Sequence, residues 1–251
     1  MAEKPTASAA LTVGVDEALT TTEEEAASPV QNPLPTRILT ALPDLAIAAV
    51  FLITWIAPRT FGDRMVAYLM LVMLLEFIIV HSSGFMGSVM LNDPLSPRTK
   101  IKSLFGFGAF YGIFALGFSL GFHAWWPLWT ILLMTLNRMM IVLLGSVPDK
   151  QERTYIQRGW AVSALCYIVF ATITVFLPLA RFGITRAEVV AQNLPGSGLW
   201  VEQPHRVIAF GFLYFLATGI SELYSHTWLK SPPPHRSDGT DTPGVTDEPA
   251  A

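Results

Sequence analysis

Four charged side chains fall inside stretches of otherwise apolar sequence: Asp44, Glu76, Arg138 and Glu222. On insertion scales a charge at the centre of a membrane helix costs about 2.5–3.5 kcal/mol, so each calls for a partner or a purpose. Glu76 lies 11 residues after Met65, and Arg138 lies 13 after Trp125, which puts both near mid-membrane. Opposite signs at matching depth point to an ion pair between the second and fourth apolar stretches. Asn137, beside Arg138, supplies amide donors and an acceptor to the same level. Such a pair either only specifies which helices pack together or balances a carboxylate that takes up a proton or ion.

A second polar level lies nearer the chain ends. Asp44, His81 and Glu222 fall there, with Ser82, Ser83, Ser221 and Ser225. Asp44 follows Pro43 and reads as an acid in the first turns of its helix, where the dipole favours it. Glu222 is close enough to a helix end to reach toward the interface. His81 has a free value of about 6.5 and changes charge near neutral pH. At about 100° per residue it points roughly 140° away from Glu76, so the two need separate partners. The expectation is that His81 lines a wet cavity with Asp44 and Glu222; the rival is a dry hydrogen bond across a helix interface. His81, His226, His123 and His205 sit at two levels and could ligate haem or a metal. Three of them lie at stretch ends, where histidine is ordinary, and no cofactor is expected.

The elements that position these groups follow from composition. Of 251 residues, 52% are hydrophobic and 14% are charged, with a mean hydropathy of +0.47. A soluble domain carries about 25% charged residues, so this chain cannot cover itself in water. Net charge is −3, with no basic stripe, which excludes a nucleic-acid partner. A single cysteine, Cys166, excludes an internal disulfide. There is no HExxH and no GxxxxGK[ST], so zinc-protease and nucleotide-hydrolysing signatures are missing. Gly196-Ser197-Gly198 beside Pro195 reads as a turn.

Six apolar stretches, at about 37–57, 65–90, 103–122, 125–147, 159–180 and 206–228, each approach the roughly 20 residues that a bilayer core demands. The second is too long and must tilt or bend near His81-Ser82-Ser83-Gly84. The third carries Gly108, Gly112, Gly117 and Gly121, the spacing of a close-packing face. Between the fifth and sixth stretches, Thr185 and Glu188 fit a capping box, which predicts a short helix on the membrane surface. Lys and Arg divide ten to five between alternate sides, which places both termini in the cytoplasm. Trp55, Trp125, Trp126 and Trp129 would form an outer belt, with Trp160 and Trp228 at the inner one.

The chain therefore reads as an all-α integral membrane protein of the bacterial inner membrane, with six transmembrane helices and N-in/C-in topology. Residues 1–35 form an acidic cytoplasmic tail and residues 230–251 a Pro-rich one, both expected to be disordered, around the domain at 36–229. The function expected is binding, sensing or moving a small ion, proton or solute through a polar intramembrane cavity. The alternative is a non-catalytic scaffold whose buried charges specify packing. The expected partners are the lipid bilayer and, for assembly, a second copy or another membrane protein.

Overall fold

The computed structural model describes residues 33–145 and 149–224, and all regular structure among them is helical. The expected terminal tails, His226, Trp228 and Ser225 lie outside the described residues. In chain order the helices are α1 Leu34–Ile56, α2 Met65–Leu91, α3 Pro97–Phe122 and α4 Trp126–Leu143. They continue as α5 Lys150–Phe176, α6 Arg186–Gln192, α7 Leu199–Glu202 and α8 Pro204–Leu223. Six of them, all but α6 and α7, are long and apolar enough to cross a membrane, which marks a multi-pass membrane protein.

Local chemistry explains where several helices start. Ser96 caps α3 by accepting from the Thr99 amide, and Pro97 follows at the first position. Asp149 caps α5 by accepting from the Glu152 amide at 2.7 Å, so α5 begins well before the apolar stretch that announced it. Thr185 caps α6 through the Glu188 amide. The short helix between the fifth and sixth long ones is thus present. Glu188 does not reach back to Thr185, however. Its carboxylate takes Arg59 Nε at 3.1 Å and Gln192 Nε2 at 2.7 Å. Gln192 also donates to the Asp63 carbonyl, so α6 is fastened onto the turn that joins α1 to α2.

α2 and α8 are the two central helices, about half buried, while the other four long helices surround them. α8 packs on α1, α5, α2 and α7; α2 packs on α3, α8, α5, α4 and α1. Two apolar cores result. One joins α1, the first half of α2, α5 and α8 around Phe51, Leu71, Met73, Ile208 and Phe210. The other joins the second half of α2 to α3 and α4 around Leu75, Ile78, Met86, Leu104 and Ile131.

α2 absorbs its surplus length as one continuous helix of 27 residues. Partners reach its backbone carbonyls from the side: Tyr167 Oη donates to Met73 O at 3.0 Å, and Trp160 Nε1 to Val80 O at 2.9 Å. Gly84 makes the second contact close enough to form, since a Cβ there would lie 2.8 Å from the Trp160 ring. Trp160 therefore packs against α2 while its side chain stays partly exposed. The glycine stripe of α3 is likewise only partly a packing face. A side chain at Gly108 would collide with Thr135 of α4, whereas Gly112, Gly117 and Gly121 have open space before them.

The bundle has two unlike ends. At the N/C end, which holds the starts of α1, α3 and α5, Arg153 bridges Asp93 at 2.6 Å and donates to Leu91 O. The hydrogen bond from Arg153 holds the exposed Asp93 carboxyl below its ordinary value. At the opposite end, Arg206 Nη1 donates to the carbonyls of Thr174, Val175 and Leu177 at 2.7, 2.8 and 3.0 Å. That arginine closes the C-terminus of α5, where unpaired carbonyls and the dipole favour a cation.

Candidate functional site

One face of α8 organises the polar interior. Tyr214, Thr218 and Glu222 are spaced by four, so they lie one above another, about 6 Å apart along the axis. Each meets a group from another helix or stands ready to. Tyr214 Oη donates to Glu76 Oε1 of α2 at 2.6 Å, and Ser163 of α5 hydrogen-bonds the same tyrosine. Thr218 lies beside the Asp44 carboxylate of α1, its hydroxyl donating to the Tyr214 and Phe215 carbonyls, next to Gly219, whose missing side chain leaves room for Leu45 and Asp44. Glu222 has one buried carboxylate oxygen, Oε2, without a hydrogen-bond partner.

Asp44 is in electrostatic reach of both Glu76 and Glu222. Three helices thus contribute three carboxylates to one column. It runs from Glu222, next to the N/C end of α8, inward to Glu76. Among the described residues, none of the three has an Arg or Lys within ion-pair distance. Beyond Glu76 the column ends against Phe51, Leu71, Met73, Ile208 and Phe210, all fully buried. The polar path is open in chemistry on one side and sealed by apolar packing on the other.

Asp44 is not in a first turn. α1 begins at Leu34, so ten residues precede Asp44 in the helix and its dipole gives little support. The ion pair expected between Glu76 and Arg138 is also not formed. Both border one open pocket of about 410 Å³ between α2, α4 and α5, together with Asn137. Glu76 is committed to Tyr214. Arg138 donates instead to Ser82 O at 3.3 Å and Ser83 Oγ at 2.7 Å. Ser83 shares Glu76's face of α2 but lies seven residues, about 10 Å, nearer the N/C end, so Arg138 meets α2 at another level.

His81 does not join Asp44 and Glu222. It is exposed on another face of α2, stacked on Phe85 at 5.3 Å and edge-on to Phe77 at 5.5 Å, with Tyr111 of α3 alongside. It borders an apolar groove of about 510 Å³ between α2 and α5 with Trp160, Tyr167 and Ile168. The wet cavity expected around His81 is therefore replaced by a carboxylate column that excludes it. His123 ends α3 in a left-handed conformation, and His205 is buried at the start of α8 with Nδ1 unpartnered. Among the described residues, no three His, Cys, Asp or Glu side chains are grouped to hold a metal.

Sequence reasoning found the three acids but missed Tyr214, Thr218 and Ser163. The spacing Tyr214–Thr218–Glu222 was the available signal, one polar stripe on an otherwise apolar helix. Ser163 and Tyr167 repeat that spacing on α5. Comparison of the chain with protein-family models, with curated proteins and with solved structures gives no match.

Proposed function

We propose that the protein binds protons or small cations on the Glu222–Asp44–Glu76 column, entering from the N/C end, and uses their binding to drive sensing or transport. The observation that carries this is the alignment of three carboxylates along a single face of α8 with no Arg or Lys of the described residues within ion-pair distance. Uncompensated carboxylates in a bilayer are costly in the ionised form, so such a column favours occupation by a proton or a cation. Tyr214, Thr218 and Ser163 are hydroxyl groups that can relay a proton or complete a cation's oxygen shell. The apolar seal beyond Glu76 makes the column a one-sided access path, and passage across the membrane would require that seal to open. The ten-to-five charge bias supports a cytoplasmic N/C end, which a C-terminal reporter fusion tests: activity only outside the cytoplasm would reverse it.

A hydrophobic carbodiimide tests the column, because it reacts with protonated carboxyls inside membranes. Peptide mass analysis of the full chain is expected to find the label on Glu76, Asp44 or Glu222, more of it at low pH, and less when sodium or lithium competes. Label absent from all three, across pH 5 to 8, would end this reading. Scaffolding remains the second reading, because the Tyr214–Glu76 and Arg138–Ser83 bonds also tie α8 and α4 to α2. The triple change Glu76→Gln, Asp44→Asn, Glu222→Gln separates the two. A folded triple variant that loses labelling favours the column; one that no longer folds favours the scaffold.

A further inference from the structure

The guanidinium of Arg138 is only partly satisfied. It offers five N–H donors, and the protein takes them at Ser82 O and Ser83 Oγ, neither of which carries a charge. Among the described residues, no carboxylate lies within ion-pair distance of it. Asn137, its neighbour, is exposed and is given no hydrogen bond by any described residue. A cation and a free amide thus stand together on one edge of α4.

The surroundings say what kind of ligand could reach them. The open pocket of about 410 Å³ beside Arg138 is walled by α2, α4 and α5 and is otherwise lined by Ile79, Met90, Ile141, Ile156 and Trp160. α4 packs on α3 and α2, with no substantial contact to α5, so this seam faces the bilayer. α4 is also short. Its 18 residues span about 27 Å, against about 40 Å for the 27 residues of α2. Arg138 is five residues, about 8 Å, from the N/C end of α4. A helix that barely spans the hydrocarbon core draws the headgroup layer inward, toward that depth. Glu76 closes the inner wall of the pocket.

We propose that the α4–α5 seam binds an anionic phospholipid, with its phosphate on Arg138, Asn137 and Ser83 and an acyl chain running inward along Ile79 and Trp160, Ile141 and Ile156 flanking the mouth. Phosphate fits a guanidinium fork in two parallel hydrogen bonds, which would supply the charge that no side chain provides. A free anion would gain the same fork but would have no use for the apolar wall. This lipid site does not rest on the reading of the carboxylate column, although Glu76 borders both sites.

The full chain, extracted in mild detergent and read by native mass spectrometry, tests the site with phosphatidylglycerol against phosphatidylcholine. Wild type is expected to retain the anionic lipid about tenfold better than the zwitterionic one, a ratio that a charge-assisted fork can supply. Arg138→Gln should remove the preference, and Asn137→Leu should reduce it. Ile156→Trp should fill the apolar wall and lower retention of phosphatidylglycerol with every charge intact. Should Arg138→Gln fail to fold, Arg138→Lys keeps the charge without the fork and is expected to lose several-fold in retention. Equal retention of both lipids by wild type would overturn the proposal. So would unchanged retention in both Ile156→Trp and whichever Arg138 variant folds. Binding of inorganic phosphate alone, with the same dependence on Arg138 and displacement of the lipid, would make it a free-anion site and overturn it equally.

Discussion

Replacing Gly211 by alanine is expected to destabilise the bundle by about 1–3 kcal/mol, the range for forcing an extra carbon into a full core. Gly211 is where α8 crosses α1. A Cβ built there runs into the ring of Phe51. That ring cannot withdraw, because Phe51 is fully buried and stacked on Phe215 at 5.7 Å between centroids. The helices must move apart instead, and their separation propagates to Asp44 and Thr218 further along the same interface. Thermal unfolding in a fixed detergent measures the loss. Phe51→Leu in the same chain should return part of it, because the two positions compete for one volume. Gly117→Ala, which meets open space on α3, should change little. Equal effects at Gly211 and Gly117 would refute the packing argument.

Arg206→Ala is expected to cost about 2–3 kcal/mol, since hydrogen bonds from a charged group contribute more than neutral ones and three acceptors lose their donor at once. The guanidinium reaches back from the first turn of α8 to the last turn of α5 and is itself steadied by Gln203 Oε1 at 2.7 Å. It joins two helices while closing the carbonyl end of one. Arg206→Lys keeps the favourable charge at that end but loses the Nε donor that Gln203 holds in place, so it should recover only part of the loss. The same unfolding assay decides it. A lysine variant as weak as alanine would mean that the dipole adds nothing there.

The spans were legible because length and apolarity are one-dimensional properties. Boundaries were less so where polar residues continue a helix past the hydrocarbon. Lys150–Gly159 belongs to α5 because Asp149 caps it and its Lys, Gln, Glu and Arg favour helix, although its polarity hides it from a search for apolar spans. The angle separating His81 from Glu76 was legible. What could not be read was which neighbour each face meets. Glu76 turns to Tyr214 of α8, 138 residues away, and Arg138 turns to Ser83. About two turns along one face of α2 separate Ser83 from Glu76, and hydropathy is blind to which of them Arg138 meets. The stripe on α8 was readable in principle, because a polar residue every fourth position needs no knowledge of the partner.

The pairing of α1 with α8 also sets a timetable. Of the described helices α1 is made first and α8 last, yet no two of them pack more extensively. The α3–α4 hairpin can assemble on α2 as soon as it is made. α1 must wait while roughly 150 further residues are synthesised, about 10–30 s at ordinary elongation rates. For that interval Asp44 sits in lipid without Thr218, and Phe51 without the hollow at Gly211. The nascent protein is therefore most vulnerable to membrane proteases and to mispairing before its last helix emerges. A chain ending before α8 would leave its first helix permanently orphaned, giving the cell a clear mark by which to recognise incomplete copies.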